Sequence, residues 1–195
     1  MLTETKATTL PQMVVAHEQA TLPQMAVAHE PETRKIAFIC SKGTLDMAYP
    51  ALVMGWAALG NGIDVTIFFT FWGLDMINKS RVDHLEIAPV ANTAMKMSMM
   101  GMDTGNLGIP QLAGVLPGMT AFATKLMKDK MAKLEVPTIR EYLQMLVDAG
   151  AKLYACKMSV DMMGVGKEDF IDGVEDIVTA GDFMDMTEGA QIVFI

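Results

Sequence analysis

Short apolar runs alternate with segments of helical periodicity from Thr33 onwards. The runs KIAFIC (Lys35–Cys40) and DVTIFFT (Asp64–Thr70) are rich in β-branched and aromatic residues, which is typical of buried strands. Between them, apolar side chains recur at helical spacing in Leu45–Leu59. A strand, a helix and a strand in this order predict a βαβ unit with two parallel strands.

The same alternation continues to the carboxyl terminus. Thr138 and Glu141 form a capping-box pattern that marks the start of one helix. The other expected elements are a helix from about 91 with a loop to 118, helices near 73–78, 119–134, 138–149, 159–163 and 181–187, and strands at 151–156, 173–178 and 191–195. The pattern predicts an α/β fold, a three-layer sandwich with about five mostly parallel strands and helices on both faces.

Residues 1–32 follow a different pattern. The segment TLPQMVVAHE at 9–18 recurs with one substitution as TLPQMAVAHE at 21–30. Two copies are too few for a solenoid, which needs at least three repeats. We therefore interpret 1–32 as an N-terminal arm and 33–195 as the folded domain. His17 and His29 have no carboxylate or thiol at ligand spacing, so we do not expect a metal site there.

The composition of the chain excludes several classes of protein. The 195 residues carry 15 basic and 23 acidic side chains, a net charge of −8, and 51% are hydrophobic. This hydrophobic content excludes a disordered chain, and the acidic excess argues against a nucleic-acid partner. Two cysteines are too few for a disulfide scaffold. We expect a single sizeable core.

The apolar window Ala51–Leu74 is long enough to span a bilayer. However, Gly60-Asn61-Gly62 is turn chemistry, and Asp64 would be costly in lipid. A buried helix, a turn and a buried strand explain this window better than a membrane span. The sequence starts with MLTETK, which has no basic and apolar leader, so we expect a cytoplasmic protein.

The two cysteines both fall where predicted strands end. Cys40 ends the first strand and Cys156 the third, each before a helix, at the edge where parallel sheets bind ligands. A thiol beside a helix start and a lysine, here Lys42 or Lys157, should have a lowered pKa. The very apolar surroundings of Cys40 favour a buried, inert thiol instead. We therefore expect Cys156 to be the reactive cysteine.

Motifs for other chemistries are absent from the sequence. There is no GxGxxG, P-loop, GxSxG or HExxH. His84 lies in a charged stretch, so a Cys-His relay is not expected. A thiolate without a general base suits sulfur carriage, in which the thiolate accepts a sulfane sulfur and passes it to another thiol. We expect no cofactor and no resident metal.

Two alternatives remain open at this stage. The first is a non-catalytic Cu(I) or small-ligand protein, in which the thioethers of MKMSMMGM (Met95–Met102) and Cys40 are the ligands. Methionine also fills irregular cores and adaptable interfaces, which is the simpler explanation. The second alternative is a peripheral membrane role for the apolar segment 93–127.

Several blocks of the domain resemble the DsrE/DsrF-like sulfurtransferases, in particular the single-chain DsrE-like subgroup found beside TusA-like sulfur carriers and rhodaneses. The matching blocks, in order, are FICSKGTLDMAYPAL (38–52), VTIFFTFWGLDMINK (65–79), GNLGIPQLAGVLPGMTAFATKLMK (105–128), YACKMSVDMMGVGKEDFIDGVED (154–176) and Ala190–Ile195. They cover nearly the whole domain from Lys35, and the arm lies outside them.

The resemblance implies a flavodoxin-like fold, homo-oligomers and a sulfur-accepting cysteine. Cys156 matches the family's cysteine in the YAC-x-M-S block, whereas Cys40 departs from the pattern. The resemblance further implies a TusA-like acceptor and a rhodanese-type donor. Residues in matching blocks are expected to line the pocket: Cys40, Lys42, Gly43, Trp72, Asn106, Lys157 and Ser159. The helix with Lys125, Lys128, Lys130 and Lys133 is a candidate docking face.

Overall fold

The computed structural model describes residues 33–88 and 118–195. These residues form five strands and five α-helices. In chain order they are β1 (Lys35–Cys40), α1 (Leu45–Gly60), β2 (Asp64–Phe69), α2 (Met119–Lys133), α3 (Ile139–Asp148), β3 (Lys152–Cys156), α4 (Lys157–Met163), β4 (Val174–Val178), α5 (Ala180–Met186) and β5 (Gln191–Phe194). Short 3-10 helices lie at Phe71–Met76, Val82–His84 and Lys167–Asp169.

The five strands form one parallel sheet in the order β4-β3-β2-β1-β5. The predicted α/β class and the parallel pairing of β1 with β2 are confirmed. Successive strands lie side by side from β1 to β4, and only β5 returns to the other side of β1. In flavodoxin, with the order 2-1-3-4-5, β1 lies between the second and third strands, whereas here it lies between the second and the last.

Side-chain alternation divides the sheet into two faces. The larger core lies on one face, where Phe38, Phe69 and Ala155 pack together with residues of α1 and α3, among them Leu52 and Leu143. On this face the helices cover the sheet closely, because α1 and α3 each turn a row of apolar side chains towards it.

The opposite face has a smaller core. It consists of the buried residues Ala37, Phe68, Cys156 and Phe183. Phe183 comes from α5 and stacks on Phe68, with ring centroids 4.5 Å apart. Helices therefore lie on both faces, as predicted, and the sheet carries Cys156 on the face that α5 covers.

Most predicted boundaries agree with the structure to within two residues. Two differences affect the site. The helix expected at 159–163 begins at Lys157, so Cys156 itself is the N-cap residue of α4. The helix expected at 73–78 is a 3-10 helix that begins at Phe71, directly after β2.

Several expectations concern residues outside the described part of the chain. They are the duplication in 1–32 with His17 and His29, most of the apolar segment 93–127, the methionine run Met95–Met102, and Asn106. Within residues 33–88 and 118–195, no helix is both long and apolar enough to cross a membrane.

Candidate functional site

Cys156 lies at the carboxyl end of β3, where the strand passes directly into α4. Its extended backbone (φ −75°, ψ 117°) makes it the N-cap of that helix, a position at which the first N–H groups have no partner inside the helix. Cys156 packs in one apolar cluster with Phe68 and Phe183, and it is 4% exposed. Cys156 therefore combines an apolar wall on one side with unused donors on the other.

Two buried hydroxyl groups lie beside this cysteine. Thr70 follows β2, the strand next to β3, and Ser159 lies in the first turn of α4. Their oxygens are 3.1 Å apart and share a hydrogen bond, and the Phe71 N–H donates to Ser159 Oγ over 2.8 Å. Ser159 is completely buried. The carboxyl ends of β2 and β3 thus bring a compact polar cluster to the sulfur.

Opposing effects act on the pKa of the Cys156 thiol. Burial, the largest effect, raises the pKa because it disfavours the charged form. Donors together outweigh it: the N–H groups of Ser159 and Met158 and the hydroxyls of Thr70 and Ser159 lower the pKa below its ordinary value. The sulfur makes no regular capping bond with the first turn of α4, so these donors act on the thiolate once it forms.

Cys40 is not part of this cluster. It packs with Phe38, Phe69 and Ala155 in the larger core, on the other face of the sheet, and is 1% exposed. Burial raises the pKa of its thiol from 9.0 to about 12. The idea that a lysine and a helix start lower its pKa is wrong, because the apolar contacts of β1 dominate. A buried neutral thiol of this kind has little nucleophilicity.

Lys157 follows Cys156 in the chain, but its ammonium group binds elsewhere. Its Nζ contacts both carboxylate oxygens of Asp161, at 2.7 and 2.8 Å, one helical turn further along α4. Lys157 is also not among the groups that shift the pKa of Cys156. The sequence argument that this lysine activates the thiol is therefore not supported by the geometry. The neutral N–H and hydroxyl groups beside the sulfur lower the pKa of Cys156 instead.

Lys42, Gly43 and Trp72 come together in a separate cavity of about 820 Å³. Cys156 and Ser159 are not among its lining residues. Gly43 is needed for close packing, because a β-carbon there would collide with the carbonyl oxygen of Trp72. The 3-10 helix that starts at Phe71 forms the boundary: Phe71 contacts Ser159, whereas Trp72 lines the cavity.

The surface around Cys156 is rich in exposed apolar side chains. Met158 and Met162 lie one turn apart on α4 and are 59% and 58% exposed, and Trp72 is 66% exposed. Phe71 and Met184 are also exposed. Such flexible or aromatic side chains are typical of adaptable protein-binding surfaces.

The chain from Lys157 to Ile195 carries nine acidic residues and two lysines, so this part of the molecule is strongly acidic.

Sequence reasoning missed Thr70 and Phe71. The register Phe69↔Ala155 places Thr70, the residue that follows β2, beside Cys156. A predicted pairing of these strands would have pointed to Thr70, because neighbouring parallel strands bring their ends together. No sequence feature identifies Phe71, whose role depends on its backbone. Asn106 lies outside the described residues, and no group of three or more potential metal-ligating His, Cys, Asp or Glu residues occurs within 33–88 and 118–195.

Comparison with known proteins gives relatives by sequence and by structure. The chain is 41% identical over 144 residues to the sulfur carrier protein DsrE2 of Allochromatium vinosum, covering 74% of this chain and 87% of that protein. It is 27% identical over 164 residues to the uncharacterized protein YrkE of Bacillus subtilis, covering 84% and 98%.

Two solved structures are similar in shape at low identity. One is MTH1491 from Methanobacterium thermoautotrophicum, a protein of unknown function (TM-score 0.48, 10% identity, 83% of this chain and 99% of that chain). The other is ychN from E. coli (TM-score 0.42, 13% identity, 83% and 99%). The sequence profile of the DsrE/DsrF/DrsH-like family matches residues 32–195, which include every element described above. The chain therefore belongs to the DsrE/DsrF/DrsH-like family.

Proposed function

We propose that this protein is a sulfur carrier that accepts a sulfane sulfur on Cys156 and passes it to a second thiol. The observation that carries the proposal is the environment of Cys156: a cysteine with a lowered pKa, beside two hydroxyls and two N–H donors. The name of the Allochromatium vinosum relative, a sulfur carrier protein, supports the same role.

The chemistry needs only the thiolate. The Cys156 thiolate attacks the outer sulfur of a donor persulfide, R–S–SH. The donor's S–S bond breaks, R–S⁻ leaves with the electron pair, and Cys156–S–SH forms. In the return step an acceptor thiolate attacks the outer sulfur and Cys156 leaves as a thiolate. No general base, oxidant or reductant is required, in accord with a site built from donors alone.

Sulfane sulfur suits this site better than a thiosulfonate group, which is the other form in which a cysteine could carry sulfur. A thiosulfonate carries a permanent negative charge, which a protein normally neutralises with a cation. The ammonium of Lys157 is bound by Asp161, and Lys42 lies at the other cavity. The many carboxylates of residues 157–195 oppose a further anion. We propose that Cys156 is loaded as a persulfide.

The exposed side chains suggest a protein as the exchange partner. A cysteine that is 4% exposed reacts with another thiol only when that thiol is brought close. Met158 and Met162 on α4, together with Trp72, offer exposed apolar side chains on which a partner protein could dock. A TusA-like acceptor and a rhodanese-type donor are the partners we propose. The lysines of α2, suggested by the sequence, lie on a different helix from Met158 and Met162.

A homo-oligomer and a cytoplasmic location complete the proposal. The edge strand β5 leaves Ile192 41% and Phe194 70% exposed, next to Ala37 and Ile39 in the sheet. Apolar side chains on an open edge are typical of surfaces covered by another chain. Free thiols persist in a reducing compartment, and both cysteines are free. The residues 1–32 are proposed to be an arm outside the folded domain.

The test is intact-mass spectrometry after incubation with a persulfidated rhodanese. The proposal predicts a mass increase of one sulfur atom, reversed by added thiol, in the natural protein and in Cys40→Ser. The same increase in Cys156→Ser would refute the assignment of the site. A tetrathionate incubation, which delivers S–SO₃⁻, is expected to load the protein much less.

A further inference from the structure

Phe71 has a backbone conformation that is unusual for its residue type. Its φ is +47°, in the left-handed region where a β-carbon is strained and glycine is favoured. Within the described part of the chain, Glu135 is the one other non-glycine residue with positive φ. Backbone strain of this kind costs free energy and persists where the surroundings enforce it, often at functional sites.

The left-handed conformation turns the chain from β2 into the 3-10 helix Phe71–Met76. At this turn the Phe71 N–H donates to Ser159 Oγ of α4 over 2.8 Å. The side chain of Phe71 is 42% exposed, so burial of the ring does not by itself account for the strained backbone. The N–H contact, not the aromatic ring, is the interaction that connects this residue to the sulfur site.

This contact constrains the protons of the hydroxyl cluster. A serine oxygen accepts up to two hydrogen bonds and has one proton to donate. Because the Phe71 N–H occupies one side of Ser159 Oγ, the Ser159 proton must point away from Phe71, towards Thr70 or the sulfur of Cys156. With a neutral thiol, one proton is shared between Thr70 and Ser159, whose oxygens are 3.1 Å apart. With a thiolate, the stronger charge-assisted bonds favour turning both protons towards sulfur.

We infer that Phe71 is a positioning residue of the sulfur site: its backbone N–H holds Ser159 Oγ so that the hydroxyl protons of Ser159 and Thr70 are directed at the Cys156 sulfur. This inference rests on the proposed function only for the purpose that the arrangement serves. In sulfur carriage a thiolate is both the form that attacks the donor and the leaving group on transfer, so the arrangement would assist both steps. It assigns the role to the peptide group between Thr70 and Phe71, not to a side chain.

The sharpest experiment removes that N–H alone. Phe71 is replaced by phenyllactic acid, which changes the 70–71 peptide bond to an ester and keeps the aromatic side chain. Thiolate formation at Cys156 is followed by ultraviolet absorbance against pH. Cys40 does not interfere below pH 10, because its pKa is raised to about 12. Loss of one hydrogen bond predicts that the titration midpoint rises by about 0.5 to 1 in pH.

Control variants separate this effect from others. Phe71→Gly keeps the N–H and accepts positive φ without strain, and Phe71→Ala keeps the N–H without the ring, so both should titrate as the natural protein does. In a Ser159→Ala background the ester should cause no further rise, because its effect is transmitted through that oxygen.

Three outcomes would overturn the inference. They are an unchanged midpoint in the ester variant, a rise that adds fully to that of Ser159→Ala, or no rise in Ser159→Ala itself. The last comparison keeps the inference falsifiable even if the ester variant does not fold. Sulfur loading is measured separately: a protein that titrates as expected but gains no sulfur would contradict the proposed function and leave the role of Phe71 in place.

Discussion

Cys40 and Cys156 end parallel strands of the same sheet, but their side chains lie on opposite faces. Cys40 aligns with Phe69, which aligns with Ala155, the residue before Cys156. Two strand spacings separate the cysteines by about 10 Å. A disulfide needs Cα atoms less than about 7 Å apart. A sulfur bound at Cys156 is therefore not released by Cys40, and its transfer requires a thiol from outside this chain.

The first prediction concerns the pH dependence of Cys156. Its pKa lies below the ordinary value, so the thiolate is present, and alkylation by iodoacetamide is fast, at a pH where a normal cysteine is largely protonated. The rate should fall as pH decreases through the folded pKa. Cys156→Ser should abolish the fast phase, and Cys40→Ser should leave it unchanged. A midpoint at or above that of a model thiol would contradict the donor arrangement.

The hydroxyls of Thr70 and Ser159 provide a second prediction. Thr70→Val and Ser159→Ala each remove a donor to the thiolate, so we expect the pKa of Cys156 to rise and sulfur loading near neutral pH to slow by about 3- to 10-fold. Thr70→Ser keeps the hydroxyl and should restore most of the rate. Rate measurements with a persulfide donor over a pH series check this. Equal rates for Thr70→Val and Thr70→Ser would show that the hydroxyl is not used.

The third prediction is that removal of the Lys157 side chain changes the reactivity of Cys156 very little. Its ion pair with Asp161 is exposed, and such pairs contribute about 0 to 1 kcal/mol to stability. We expect Lys157→Ala to titrate and load with persulfide much as the natural protein does. Asp161→Asn is the informative partner, because it frees the ammonium group and should increase loading from tetrathionate. Strong loss of persulfide loading in Lys157→Ala would mean that the lysine does act on the sulfur.

The methionines of α4 give a fourth prediction. Met158→Gln with Met162→Gln makes the proposed docking surface polar without touching the buried hydroxyl cluster. Transfer from a protein donor should slow, whereas alkylation by a small reagent should not. Met54→Gln on α1, where the side chain is 45% exposed, is the matched control. If the double variant Met158→Gln/Met162→Gln transfers sulfur at the natural rate, as the Met54→Gln control does, docking does not use α4.

Burial of Cys40 predicts a loss of stability at alkaline pH. Its folded pKa of about 12 lies above the ordinary value of 9.0, so the unfolded chain loses this proton first. The stabilisation is complete below about pH 9 and is lost progressively as pH rises towards 12. At pH 10 the expected loss is about 1 kcal/mol. Urea unfolding of the natural protein and Cys40→Val at pH 7 and 10 measures it, and an equal pH effect in both would contradict the assignment.

The sequence predicted the fold well because the strands of this sheet are short apolar runs between helices of clear periodicity. Lys35–Cys40 and Asp64–Phe69 are each flanked by turn or cap residues, so their limits follow from local chemistry. The strand order, with β5 beside β1, could not be derived in this way. The order of the strands depends on which edges of the sheet the helices leave open, and no local sequence pattern indicates that.

The site was predicted less completely. A helix start, Lys157 and Ser159, which all follow Cys156, suggested its reactivity. The N–H groups of the helix start and the Ser159 hydroxyl do lower its pKa. The effect expected of Lys157 depends on where a long flexible side chain points. Asp161 one turn away decides that, and its distance of 2.7 Å from Lys157 Nζ emerges only in three dimensions. Thr70 and Phe71 act from another strand end, 86 and 85 residues earlier in the chain, which spacing alone does not connect to Cys156.

Sulfur carriage at Cys156 is tested most directly by intact-mass spectrometry, with peptide mapping, of the natural protein, Cys156→Ser and Cys40→Ser after incubation with a persulfidated rhodanese. We expect one added sulfur atom, mapped to Cys156, in the natural protein and in Cys40→Ser, and none in Cys156→Ser. Full loading of Cys156→Ser, or an unloaded natural protein whose Cys156 is reduced and folded, would contradict it.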